Sequence, residues 1–144
     1  MSGGFTISND RAALDVALIH HYLSEESYWA HGVSYDIVSR SIENSLCFGG
    51  FVDGRQVAFA RVVTDRAVFA WVCDVFVLSD HRGQGYSKAL MAAIMAHPDL
   101  QGLRRMMLGT LDAQGLYGQF GFGSLKAPQR LMEINRMTFH GVTP

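Results

Sequence analysis

The chain has 144 residues, 49% of them hydrophobic and 17% charged, with a formal net charge of −1. That length points to one domain, residues 1–144, with a sizeable core, and the composition excludes global disorder. The near-zero charge argues against general nucleic-acid affinity, no apolar run is long enough to span a membrane, and the opening MSGGFTISNDR is no secretory signal. A soluble cytoplasmic protein with no nucleic-acid or membrane partner is expected. Cys47 and Cys73 both sit in strand-like runs, so they are expected buried and reduced.

In chain order, Phe5 to Ser8 reads as a short first strand. Asn9 or Asp10 is the expected N-cap of a helix through Leu23, whose apolar positions have helical spacing. His20 and His21 are adjacent and face different directions, so they cannot form a helical metal-binding pair; no metal is expected. Ser24 to Ser34 is a loop or broken helix carrying Tyr28, Trp29 and His31. Aromatic residues in a loop either line a pocket or staple the loop to the core. Glu25 and Glu26 beside them either select a cationic substrate or face solvent. Ser34 caps a second helix, Tyr35 to Asn44. Leu46 to Val52 and Gln56 to Val63, joined by Asp53-Gly54, read as a β-hairpin. A turn at Thr64 to Arg66 leads into a long strand, Val68 to Leu78.

The central stretch follows. Ser79 to Gly85 is turn chemistry, and Tyr86 to His97 is rich in good helix formers before Pro98 stops it. Gly83 and Gly85 allow positive φ and close approach of backbone to a ligand. Free N–H groups at a helix N-terminus, with Arg82 beside them, make a phosphate site. A lone G-x-G is weak evidence in a chain with fifteen glycines. No Walker-type P-loop occurs. A dinucleotide fingerprint fails at Lys88 and again at Gln101 to Leu103. Beyond the helix come a strand, Arg104 to Gly109, a short helix, Ala113 to Phe120, and an apolar final strand, Leu131 to Phe139. If exposed, that last strand would suit a homodimer.

Arg82-Gly83-Gln84-Gly85-Tyr86-Ser87 resembles the R/Q-x-x-G-x-G/A acyl-CoA pyrophosphate loop of the GCN5-related N-acetyltransferases. Val75-Phe76-Val77 before it resembles that family's fourth strand. Ala113 to Phe122 resembles the family's A-x-x-L-Y-x-x-x-G-F segment. The two motifs occur in the family's order. The resemblance implies an α+β fold: a mixed, mostly antiparallel central sheet flanked by helices, with splayed fourth and fifth strands.

The resemblance also implies acetyl-CoA as cosubstrate and an amine of a small molecule or peptide as acceptor. The pyrophosphate would sit on the N–H groups of residues 83 to 88, that is Gly83, Gln84, Gly85, Tyr86, Ser87 and Lys88, with Arg82 nearby. The backbone of Val75, Phe76 and Val77 would hold the pantetheine arm, and a bulge in this strand would aim an N–H at the thioester carbonyl. Tyr117 would protonate the departing thiolate. Tyr28, Trp29 and His31 would form the acceptor wall. Two positions depart from the family pattern: Ser87 stands where Gly or Ala is usual, and Thr110 where many members have a cofactor-binding Asn.

An alkylamine of pKa about 10.4 is only about 0.04% neutral at pH 7, so a base is useful. Asp74, a carboxylate in an apolar strand, is the candidate. The alternative is an ion pair with Arg61 or Arg66, since a buried carboxylate is costly unless paired or functional. The competing reading of the whole chain is an acyl-CoA-binding sensor or interaction module without turnover.

Overall fold

The computed structural model describes residues 4–137. Five strands form one sheet in sequential order: β1 (Thr6–Ser8), β2 (Leu46–Val52), β3 (Arg55–Thr64), β4 (Phe69–Val77) and β5 (Arg105–Leu108). The first four run antiparallel, and β5 lies parallel to β4. The parallel step requires a crossover, supplied by α3 (Tyr86–Ala96). This is the mixed, mostly antiparallel sheet expected from the sequence.

The strands form where turn chemistry and apolar runs agree. Asp53 and Gly54 both take positive φ, 51° and 76°, as the tight hairpin turn between β2 and β3 requires. Asp65 closes the next turn: its Oδ1 accepts the N–H groups of Ala67, Val68 and Phe69. The β4–β5 pairing runs only from Phe69↔Arg105 to Val72↔Leu108. β4 continues to Val77 without β5 beside it, so the two strands part after Val72, the splay anticipated from the sequence.

Apolar side chains on opposite faces of the sheet make two cores. One is packed under α3, with Phe48, Val62, Leu90, Met91 and Ile94 fully or nearly fully buried. The other packs Ile19, Leu23, Val38, Ile42, Phe59 and Phe76 beneath α1 (Val16–His21) and α2 (Tyr35–Glu43). Ser34 caps α2 as expected, its Oγ accepting from Ile37 N–H at 3.2 Å.

Two expectations are corrected. The first helix does not run from Asp10 to Leu23. Asp10 caps only a 3-10 turn, Arg11–Ala13, and α1 starts afresh with Asp15 as its cap. The cause lies far away in sequence: the buried Gln56 accepts the Asp15 N–H at 2.7 Å and pins the chain there. α1 then widens into a π-turn, Tyr22–Glu26, a feature often found at functional sites. The final strand is the other correction. Residues 131–137 pair with nothing in the sheet, and Met132 and Ile134 are largely exposed. Phe139 lies outside the described residues.

Candidate active site

β3 and β4 lose register where β4 bulges. Phe59 pairs with Phe76 and Arg61 with Cys73, so Ala60 alone faces Asp74 and Val75. Asp74 takes φ 53°, a left-handed conformation that Asp and Asn tolerate better than other residues with a Cβ. The bulge bends β4 and re-aims its side chains just beyond the point where β5 leaves.

The Asp74 carboxylate is fully engaged. Its Oδ2 accepts from Arg61 Nε at 2.9 Å, and its Oδ1 accepts from Trp29 Nε1 at 2.8 Å. Arg61 also donates from Nη1 to Ser45 Oγ at 3.1 Å, and Ser45 Oγ donates to the Ser41 carbonyl of α2. One hydrogen-bonded chain therefore links α2, β3, the bulge and the aromatic loop. Burial pulls the Arg61 pKa down, but the charge of Asp74 leads the opposing effects, its hydrogen bond among them, and the net direction is up. Asp74 makes the ion pair with Arg61; Arg66 pairs instead with Asp99.

Above the bulge opens a cavity of about 790 Å³, within the range of small-molecule sites. Tyr28, Trp29, Asp74, Val75, Thr110 and Tyr117 all line it. The structure thus brings together residues from the acceptor loop, β4 and the segment after β5. Tyr28 and Trp29 meet edge to face at 5.1 Å. His31 is exposed and is not among the lining residues. Burial pushes the Tyr117 pKa up, and Tyr28 and Asp112 add to the rise; Phe122 packs edge to face on its ring. Thr110 Oγ1 accepts the Ala113 N–H at 3.0 Å, at the start of α4 (Gln114–Gly118).

Sequence reasoning missed Trp71 and gave Arg61 only a place as a partner. Both line the cavity. The signal for Trp71 was alternation: Phe69, Trp71 and Cys73 share the face opposite the buried Ala70 and Val72. The two cysteines stand on β2 and β4 on either side of Arg61. That is one strand too many for a disulfide, and both are free.

The central loop forms the far end of the site. Gly83 and Gly85 take φ 79° and 80°, and an added Cβ on either would meet nothing within 4 Å. Gly85 caps α3 without a side chain. Among the described residues, the N–H groups from Gly83 to Lys88 have no intramolecular acceptor; the next, Ala89, bonds Gly85 O. Ser87 and Lys88 occupy the first turn of α3. Arg82 folds back: its Nε donates to Val77 O at 3.0 Å and its Nη2 to Tyr22 Oη at 2.8 Å. Tyr86 stacks on Phe5 at 4.0 Å and donates to Gln84 Oε1. Phe76 and Val77 bury their side chains, Phe76 stacking on Tyr22, so they offer a ligand only backbone. Among the described residues no group of three or more His, Cys, Asp or Glu could hold a metal ion.

A bulged fourth strand, a fifth strand splayed from it and an N–H-lined turn opening the crossover helix are the arrangement that the resemblance to the acetyltransferases implies. The sequence matches the model of the acetyltransferase (GNAT) family over residues 16–122, and the chain belongs to that family. It superposes on the crystal structure of a GNAT-family protein from Xanthomonas campestris pv. campestris with a TM-score of 0.91. The two share 57% identity, over 94% of this chain and 95% of the other. A Gibberella zeae protein with a provisional acetyltransferase name is 29% identical over 81% of this chain and 77% of its own. The fold also matches N-acetylglutamate synthase from Neisseria gonorrhoeae, crystallised with coenzyme A and N-acetyl-glutamate. There the TM-score is 0.67 and the identity 17%, over 88% of this chain and 30% of the other.

Proposed function

We propose that the protein transfers an acetyl group from acetyl-CoA to an amine of a small acceptor by direct attack. The observation that carries this is the meeting of Tyr117 and the β4 bulge on one cavity wall, where β4 and β5 part. The residues present fit the cosubstrate. Unpaired N–H groups above two open glycines suit a pyrophosphate, and the uncovered edge of β4 after Val72 suits the amides of a pantetheine arm. Arg82 acts at this end through posture: by gripping Val77 O and Tyr22 Oη it holds the loop over the end of β4.

As the C–N bond forms, charge gathers first on the carbonyl oxygen, where backbone N–H donors at the bulge would stabilise it. The nitrogen releases its extra proton to solvent, from which Tyr117 is later reprotonated; the C–S bond breaks and the thiolate takes a proton. Tyr117 supplies it: its raised pKa keeps the phenol protonated at neutral pH. Asp74 has both oxygens engaged, so we assign it the holding of bulge and loop rather than deprotonation of the amine. Placement of Tyr117 on the cavity wall favours turnover over a binding-only module.

Calorimetric titration with acetyl-CoA tests this, beside an Arg82→Ala, Gly85→Glu double variant. Binding in the roughly micromolar range that disappears in the variant is the expected result. Failure of the native chain to bind would overturn the proposal.

A further inference from the structure

We infer that the acceptor is a monoamine with an aromatic body and no second charge, an arylalkylamine rather than an amino acid, a polyamine or a lysine-bearing peptide. The inference rests on the acetyl-transfer reading and adds the substrate class.

Two properties of the cavity carry it. One is its surface: Tyr28, Trp29 and Trp71 present three aromatic rings, backed by Ile37 and Val38. Rings of this kind stack on a flat apolar body. Tyr28 and Trp71 stay 43% and 37% exposed, so their rings are not consumed by the core.

The other property is charge. Asp74 and Arg61 are deeply set in the wall, with side chains only 11% and 18% exposed. They cancel one another, and their remaining contacts run to Trp29 and Ser45. Among the described residues, no cation of the lining is left without a countercharge to receive the carboxylate of an α-amino acid. Among the described residues, the one unpaired anion of the lining is Asp112 at the exposed mouth, so a second ammonium carried to the depth of Asp74 would meet no free carboxylate. A charge carried into this wall would lose its water without gaining a partner, which is costly. Asp112, the other charged lining residue, is exposed and solvent screens it. A single amine escapes the penalty, because it reacts as the neutral base.

The test compares kcat/KM for CoA release with four acceptors at fixed saturating acetyl-CoA. The acceptors are 2-phenylethylamine, phenylalanine, spermidine and a short lysine-containing peptide. Phenylalanine and phenylethylamine differ only by the carboxylate, so that pair isolates the charge argument. Phenylethylamine should exceed each of the others by about 100-fold, near the upper end of what one unsatisfied buried polar group costs. Trp71→Ala should raise its KM at least about tenfold with acetyl-CoA affinity unchanged. Equal or better turnover of phenylalanine, spermidine or the peptide would overturn the inference. So would acetyl-CoA binding with no turnover of phenylethylamine, which leaves the cosubstrate reading standing. Absence of acetyl-CoA binding overturns both.

Discussion

The Arg61–Asp74 pair sets a measurable stability. Replacing Arg61 by Met keeps most of the apolar stem and removes the charge. Asp74 then retains one donor, Trp29 Nε1 at 2.8 Å, and loses Arg61 Nε at 2.9 Å. Exposed ion pairs contribute about 0–1 kcal/mol, whereas stripping one partner from a buried pair costs about 3–5 kcal/mol. With side-chain exposures of 18% and 11%, this pair lies near the buried limit. A loss of about 2–4 kcal/mol is expected, or roughly 6–12 °C in Tm for a domain of this size. Urea unfolding followed by far-UV circular dichroism measures it, with a constant m-value confirming that the denatured state is unchanged. The Arg61→Met, Asp74→Asn double variant should recover part of the loss, giving a coupling of about 1–3 kcal/mol. A single-variant loss under about 0.5 kcal/mol, or strict additivity, would show that water screens the pair and refute the clamp.

Tyr117→Phe should lower kcat by roughly 10²–10⁴-fold while leaving the acetyl-CoA dissociation constant unchanged; retained turnover removes its acid role. Because the Tyr117 pKa is raised above its ordinary value of 10, the native kcat should hold to pH 10 and fall only as the phenol ionises beyond it, and the variant should lack that limb. Burial pushes Cys73 up to about 12 and Cys47 to about 11, leaving thiolate fractions at pH 8 of only about 10⁻⁴ and 10⁻³, against about 0.2 for an ordinary cysteine. Iodoacetamide should therefore label neither thiol appreciably in the folded protein, and labelling at the rate of free cysteine would contradict that burial.

Local chemistry wrote most of the frame plainly. Asp53-Gly54, the Ser34 cap, Gly83 and Gly85 before α3, and Pro98 after it are each decided by neighbours a few residues away, and each falls where the sequence puts it. The departures arise where distant residues intervene. Asp10 satisfies every local rule for a helix cap, yet Gln56, 41 positions away from Asp15, chooses the later start. Leu131 to Met137 has strand composition but no ladder to join.

The candidate site shows the same division. Glycines and the Tyr117 segment were legible because turns and helix starts are local. The bulge came from the family resemblance alone: nothing in Cys73-Asp74-Val75-Phe76 breaks the strand pattern, and where the register slips, Arg61 and Trp29 each claim one oxygen of Asp74 from different parts of the chain. A carboxylate in an apolar strand was a correct sign of a special position, but residue type alone could not separate a proton acceptor from an anchor. The two donors, one on each oxygen, are what supports assigning it as an anchor. They hold a backbone turn that Asp tolerates and most residues resist, and they tie it to the loop carrying Tyr28. The geometry that would present backbone donors to a thioester and the wall that would receive the amine are therefore fixed by one carboxylate.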